Sequence, residues 1–433
     1  MQNKRLYQTG LLAMFLYAGV VQAQTSDAIG TLTPYSMFGL GEHARQGTTF
    51  NRMMGGIGVS LRDHRYINFL NPAAISAHDT LSFMLDFGVE AQNLYHANSQ
   101  SRSAFNSMNM NHFVFSFPLY KKSAMMVGFS PYSHVGYNFE EKELRPEFIS
   151  ELGDVAYRHY GEGSINQLFL GGALSVSKSF SVGAEGIYYF GTLSRSSNVI
   201  FNNAEAYSSI YANAKTVLSS FAAKIGVQYE GRLQNRYVIS AGATALLPTT
   251  LKGDMSRVAT STDTIYQSVQ SGLRVRLPAE LAGGVSLSRK YFEEGGLNKW
   301  MVGFDYTRQD WTQTDFAPTP GIQFAPAVKS AYKMGFELTP DVYDIRYFFK
   351  HWTYRGGVYY ENSYLKLNGQ QVNSMGFTLG VSIPVFRWSN MLNFGIDMGQ
   401  RGAVSDQLVR ERYVMFQVSF SLYDIWFRKM KYE

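Results

Sequence analysis

The stretches Leu392-Asn393-Phe394-Gly395-Ile396-Asp397-Met398 and Val414-Met415-Phe416-Gln417-Val418-Ser419-Phe420-Ser421-Leu422 decide the fold of this chain. In the first, apolar residues alternate with Asn393, Gly395 and Asp397; in the second, with Gln417, Ser419 and Ser421. A period of two gives a strand one oily and one polar face. A soluble sandwich would turn the oily face inward. A transmembrane barrel turns it outward to lipid and lines its interior with small and polar side chains.

The same alternation recurs upstream. Leu81, Phe83, Leu85, Phe87 and Val89 flank Ser82, Asp86, Gly88 and Glu90, and Phe221 to Tyr229 repeat the pattern around Lys224, Gly226 and Gln228. Trp300, Val302, Phe304 and Tyr306 bracket Gly303 and Asp305. A sandwich would bury Asp86, Glu90, Lys224, Glu230, Asp305 and Asp397 in an apolar core, at several kcal/mol for each unpaired charge. A barrel with a wet or networked interior has no such conflict. The expected fold is all-β: a transmembrane antiparallel barrel. Phe394, Ile396, Phe416, Val418 and Phe420 should face lipid, and Asp397, Gln417 and Ser419 should face inward.

The chain opens with Lys4 and Arg5, an apolar run from Leu11 to Val21, and Val21-Gln22-Ala23. That is the form of a cleavable signal peptide over residues 1–23, so the mature chain is expected to be exported. There is no cysteine in the 433 residues, hence neither a disulfide framework nor a lipid-bearing cysteine. Aromatics at 15% and 40 glycines suit a barrel with interfacial girdles and a crowded, curved wall. The formal charge of +6 is scattered along the chain, which gives no nucleic-acid footprint. The expected address is the outer membrane of a Gram-negative cell, with outer-membrane lipid as surroundings and the outer-membrane assembly machinery needed for insertion.

Residues 24–79 do not alternate. They hold Arg52-Met53-Met54-Gly55-Gly56-Ile57-Gly58-Val59 and Asn68-Phe69-Leu70-Asn71-Pro72-Ala73, and read as a compact element rich in turns at Gly55, Gly56 and Gly58. From residue 80 to the end, about fourteen alternating segments follow. The first spans 80–97, two consecutive ones 235–250 and 264–289, and the last 408–428. Tight connections fall near 121–122, 177–179, 232–235 and 387–390. Longer polar ones are expected at Glu140–Glu162, Lys252–Thr262 and Thr314–Ile322. An even strand number returns the C-terminus to the periplasmic side, with Trp426 and Phe427 at the interface.

Gly47 to Met53, Gly55-Gly56-Ile57-Gly58 and Asn71-Pro72-Ala73 resemble the N-terminal hatch of the FadL-like outer-membrane transport proteins. Tyr354-Arg355-Gly356-Gly357-Val358-Tyr359-Tyr360-Glu361, Gly399-Gln400-Arg401-Gly402 and Trp426-Phe427-Arg428-Lys429 are similar to FadL-related proteins of the Bacteroidetes. Where that family often carries an acidic pair, this chain has Arg62-Asp63-His64-Arg65. The resemblance implies a hatch at 24–79 plugging a barrel at 80–433, and passive uptake of small hydrophobic compounds, fatty-acid-like or aromatic. The runner-up role that the resemblance implies is a non-transporting barrel subunit of an outer-membrane secretion or assembly machine, of the type IX shuttle kind, with partner proteins of its own.

Pro72 fixes its φ, biases Asn71 away from helix, and leaves the Asn71 amide free to bond nearby backbone. Asn71, Pro72 and Ala73 are therefore the expected anchor of the hatch. Met53, Met54, Phe69 and Leu70 are the residues that could face a ligand. No enzyme is expected. The eight histidines are dispersed, His78-Asp79 are sequence neighbours that a strand would point apart, and Ser130 lacks the glycine pattern of a nucleophile elbow. No metal spacing is present and no cofactor is expected; Gly55-Gly56-Ile57-Gly58 lacks the Lys-Ser/Thr of a phosphate loop.

Overall fold

A computed structural model describes residues 30–425 except 98–101, 121, 202–206, 234–236, 263, 290–298, 317–322, 342–343, 345, 386–389 and 405–407. The expectations for residues 1–23 and for Trp426 and Phe427 lie outside the described residues. After the two-residue strand β1 (Glu42–His43), the chain forms β2 (Ser82–Ala97), β3 (Arg102–Tyr120), β4 (Ser123–Lys142), β5 (Val155–Ser175), β6 (Phe180–Phe201) and β7 (Ile210–Leu233). Then come β8 (Tyr237–Leu246), β9 (Thr249–Thr260), β10 (Thr264–Leu277), β11 (Glu280–Arg289), β12 (Lys299–Asp310) and β13 (Phe324–Pro326). The last five are β14 (Val328–Thr339), β15 (Thr353–Leu367), β16 (Gln370–Val385), β17 (Asn390–Arg401) and β18 (Arg410–Ile425).

The sheet is antiparallel and closed, because β18 pairs with β2 from Arg410–Ala97 to Ile425–Ser82. β8 and β9 are one wall strand interrupted at Pro248, and β10 and β11 another interrupted at Pro278. A proline has no N–H to give to a ladder, so pairing lapses there. The two lapses sit side by side, since Leu246 stands opposite Glu280. β7 spans the break by pairing with both β8 and β9. With β13 running into β14 through Ala327, the wall has fourteen strands, the number the alternation predicts.

The faces fall as the period of two requires. Phe394, Ile396, Phe416 and Val418 are exposed on the outside, while Asp397, Gln417 and Ser419 are each 2% exposed. The outer belt continues round the wall through Leu168, Phe221, Leu281, Phe304 and Phe377. Among the described residues no helix is long and apolar enough to cross a membrane; the strands carry the apolar surface.

Two connections differ from expectation. Lys252–Thr262 is not a long loop: β9 runs to Thr260, paired on one side with β7 from Tyr211 to Ser219 and on the other with β10. This end of the wall rises past the apolar belt, where neither face must be oily, so the alternation fades although the ladder continues. The Glu140–Glu162 connection is also shorter than expected, since β4 reaches Lys142 and β5 starts at Val155, with a short helix (Pro146–Leu152) between. The inner polar positions are bonded to one another. Asn393 donates to Ser419 at 3.0 Å and to Ser421 at 2.8 Å.

Val418→Arg should cost ~2–4 kcal/mol if Val418 lies near the bilayer midplane. Ser419→Ala, which removes one hydroxyl from the inner network, should cost about 1 kcal/mol. Urea titration of the barrel refolded in lipid vesicles checks both; equal costs would mean the faces are exchanged.

Candidate functional site

Residues 30–79 bond to backbone and to buried polar side chains of the strands, and these attachments begin at a seam in the wall. The β3–β4 ladder runs from Tyr120–Ser123 only to Phe113–Phe129. Above that row, the edge of β4 pairs with the N-terminal segment instead. Ala44 donates its N–H to the Tyr132 carbonyl at 2.9 Å, Glu42 and His43 stand opposite His134 and Ser133, and Thr33 donates to the Gly136 carbonyl at 2.8 Å. Ser36 Oγ donates to that carbonyl and accepts from the Gly136 N–H at 2.9 Å. On the β3 side, the Asn109 amide donates to the Gly30 carbonyl. The segment thus occupies the place between β3 and β4 where direct pairing has stopped.

Deeper in, the segment is held by charge. The Arg45 guanidinium pairs with Asp397, donates to the Tyr413 hydroxyl at 2.7 Å, and lies 4.0 Å from the centre of the Tyr359 ring. Tyr359 donates to Asp397 at 2.7 Å. Arg52 pairs with Glu90 and bonds Asn111, and Glu42 pairs with Arg401, which also reaches Glu411. At the lower end Asp63 meets Lys299 at 2.9 Å and Arg65 at 3.4 Å. Burial alone would push the Asp63 carboxyl up, but these two cations hold it well below the usual carboxylate range. Burial also pushes the His78 imidazole down to about 4, so it is neutral where it meets Ser116 at 2.9 Å.

The glycine turns meet a wall shaped to take them. A short helix over Thr49–Arg52 ends before Gly55 and Gly56, whose φ values of 69° and 82° suit glycine. Opposite, Gly303, Gly335 and Gly357 stand side by side on β12, β14 and β15. A Cβ on Gly357 would collide with the Met54–Gly55 backbone, and one on Gly335 with Met54 and Ile57. Asp305 accepts the N–H groups of Gly58 at 2.6 Å and Val59 at 2.8 Å. Thr378 donates to the Met53 carbonyl at 2.9 Å and accepts from Gly55 N–H at 2.8 Å.

Asn71 caps a 3-10 turn, Pro72–Ala77, by accepting from the Ala73 N–H at 3.0 Å. Its amide donates to the Val59 carbonyl at 2.7 Å and to the Val227 carbonyl of β7 at 3.1 Å. Gly183 on β6 makes room for Pro72 and Ala73, since a Cβ there would lie 2.5 Å from the Ala73 nitrogen. Met53 and Met54 are buried against the wall, Met53 over Gly380 and Gly395. Phe69 packs on Phe169 at 5.0 Å between ring centres, and with Leu70 it borders the interior chamber.

That chamber measures about 140 Å³ and is bordered by Arg45, Glu185, Lys224, Lys333, Glu361 and Asp397 among others. A smaller one of about 70 Å³ lies above it around Glu42, His43 and Arg401. An apolar cavity near 150 Å³ is large enough for benzene, so size alone would admit a small ring. The lining is mixed: Phe69, Leu70, Ile187, Tyr189 and Leu246 stand beside those charges, whereas hydrophobic ligands usually sit among apolar walls with few polar groups. Among the described residues no cluster of metal-ligating side chains forms.

Alternation placed Asp305 and Asp397 on the inner face; it gave no sign that Arg45 and the Gly58–Val59 amides are their partners, or that Asp63 is clamped by Lys299. The row of inward glycines was the available signal, since side-by-side glycines on an inner wall mark a close backbone approach. Gly357→Val should displace the Met54–Gly55 turn and cost about 1–3 kcal/mol by overpacking. Gly283→Val, with nothing within 4 Å of its Cβ position, should be neutral. Limited proteolysis of the N-terminal segment in the folded barrel distinguishes the two.

The fold is that of known barrels. The chain is similar to the Ralstonia pickettii toluene transporter TbuX, at 14% identity and a TM-score of 0.55, covering 87% of this chain and 98% of that one. It is similar to a Pseudomonas aeruginosa FadL homologue at 12% identity and 0.55, covering 88% and 99%. The Pseudomonas putida toluene transporter TodX aligns at 15% identity and 0.51, over 90% of this chain and 100% of that one. No curated protein sequence matches. The model of one family, BamG, matches residues 6–433, and the chain belongs to the BamG family.

Proposed function

We propose that this chain is an outer-membrane barrel sealed by its N-terminal hatch, acting as a non-transporting subunit of an outer-membrane assembly or secretion machine. The observation that carries this reading is how the hatch is held. Backbone amides at the β3–β4 seam, ion pairs on β2, β12 and β17, and a glycine floor on β12, β14 and β15 tie it down. A hatch that must shift for each passing molecule would break several buried charge pairs at once, each at about 3–5 kcal/mol when one partner is left behind. The remaining chamber mixes charged side chains with apolar ones, and an apolar passenger would take those charges out of water. The outer apolar belt and the FadL-type fold support the membrane address, and enzymatic chemistry forms no part of this reading.

A second reading rests on a different observation. Wall pairing stops between β3 and β4 within the height of the apolar belt, with Met108 and Met110 exposed on the β3 side. A segment that fills a seam could also leave it, which would open a lateral path for a small hydrophobic compound. Two of the structurally similar proteins are toluene transporters by name.

Affinity purification of the chain from gently solubilised membranes tests the first reading: a stoichiometric complex with other membrane or periplasmic proteins is expected. Uptake assays test the second. Asn71→Ala with Pro72→Gly should loosen the hatch; under the sealed-subunit reading, uptake of small hydrophobic probes stays low in wild type and rises only in the variant. Rapid uptake through wild type, with no partner recovered, would reverse the order of the two readings.

A further inference from the structure

The outer wall carries a feature that neither a sealed plug nor a lateral path uses. Arg102, Arg410 and Arg412 all stand on the outside at the loop end of β3 and β18. Arg410 is opposite Ala97, Ala97 is opposite Arg102, and Arg412 is opposite Tyr95. The small Ala97 between two arginines leaves a notch of about 470 Å³, bordered by Tyr95, Arg102, Arg410 and Arg412. Among the described residues no carboxylate pairs with any of the three. Arg412 only approaches the Gln400 amide oxygen, at 3.4 Å, and the Arg410 Nε is enclosed without a bonding partner.

The height of this notch is set by the residues below it. Descending β18 on the outer face, Arg412 is followed by Val414, Phe416, Val418 and Phe420, the apolar belt itself. Tyr95, 51% exposed, sits at the same level on β2, where aromatic girdles mark a lipid interface. A second concavity starts at the notch. An apolar groove of about 840 Å³ runs down the outside of β14–β18 between Met334, Val358, Met375, Phe377 and Val414, and Arg412 borders both it and the notch. Cations at a headgroup level joined to an oily channel at acyl depth match one kind of occupant.

We propose that this surface is a lipid-binding site: the notch takes the phosphate of a lipid headgroup in the leaflet at the loop end, and the groove takes one of its acyl chains. The guanidinium groups supply charge-assisted hydrogen bonds to phosphate oxygens, and the belt below supplies apolar contact. The site rests on the barrel standing in a membrane with its loop end outward, and on nothing about transport or partners.

The test uses the full-length barrel in neutral detergent, with bound lipid counted by native mass spectrometry. Bis-phosphorylated lipid A is the probe, compared with its dephosphorylated form and with inorganic phosphate alone. Arg102→Gln/Arg410→Gln/Arg412→Gln should weaken lipid A binding at least ~10-fold, and removal of the phosphates should do the same to wild type. Replacing the three arginines by lysine should stay within about threefold, since the charge is kept. Met375→Trp, which crowds the groove, should weaken lipid A but leave the phosphate preference. Heat-modifiability on gels shows which variants are folded; if the triple glutamine variant fails to fold, the Arg412→Gln single variant carries the comparison. Equal binding by wild type and the folded arginine variants, or by phosphorylated and dephosphorylated lipid, overturns the proposal. So does inorganic phosphate binding as tightly as the lipid. None of these outcomes bears on partner recovery or probe uptake.

Discussion

A bilayer offers no water to a bare strand edge, so every backbone N–H and C=O at membrane depth needs a protein partner. Most of this wall meets that demand by closing on itself. Among the described residues, apart from the lapses at Pro248 and Pro278, the long gap is at β4 above Phe129, which has β5 on one side and no direct ladder to β3 on the other. The N-terminal segment supplies the missing partners through Thr33, Glu42–His43 and Ala44. The N-terminal segment therefore completes the ladder on the free edge of β4, and wall and segment cannot be considered separately.

The rest of the interior follows from that dependence. Once the segment is fixed at the seam, Arg45 and Arg52 are carried into reach of Asp397 and Glu90. The chain then runs down over the glycines of β12, β14 and β15 to Asp305, and leaves through Asn71 and the Pro72–Ala77 turn into β2. Of the inward charges that would be ruinous in a sandwich core, Glu90 and Asp397 pair with Arg52 and Arg45, Asp305 accepts two backbone amides, and Lys224 donates to the Phe69 carbonyl at 3.2 Å. Buried pairs contribute little net stability, because desolvation offsets most of their attraction. Their effect is registry: each one penalises any arrangement that leaves its partner behind.

Much of the wall was legible because lipid imposes a strict rule on the outer face. Phe416, Val418 and Phe394 could be assigned outward from the period of two alone, and the fourteen strands with them. The rule weakens where lipid ends, which is why Lys252–Thr260 read as loop although it is ladder. Pro248 and Pro278 lay within the expected segments 235–250 and 264–289 without revealing that they interrupt neighbouring strands at one level. The interior was less legible because its bonds are remote in sequence: 352 residues separate Arg45 from Asp397, and 247 separate Gly58 from Asp305. Asn71 was readable because proline and asparagine chemistry is local, and its cap to Ala73 spans two residues.

Hydrogen exchange of backbone amides in the folded, lipid-embedded barrel tests the central claim most directly, that the N-terminal segment is locked as a structural part of the wall. The informative amides are those of Thr33 and Ala44 at the seam and of Gly58 and Val59 at Asp305. The account predicts protection equal to that of wall amides such as those of β17 and β18, in wild type and without any added partner. Exchange of these four amides orders of magnitude faster than the wall, while the wall stays protected, would contradict it and describe a hatch that opens freely.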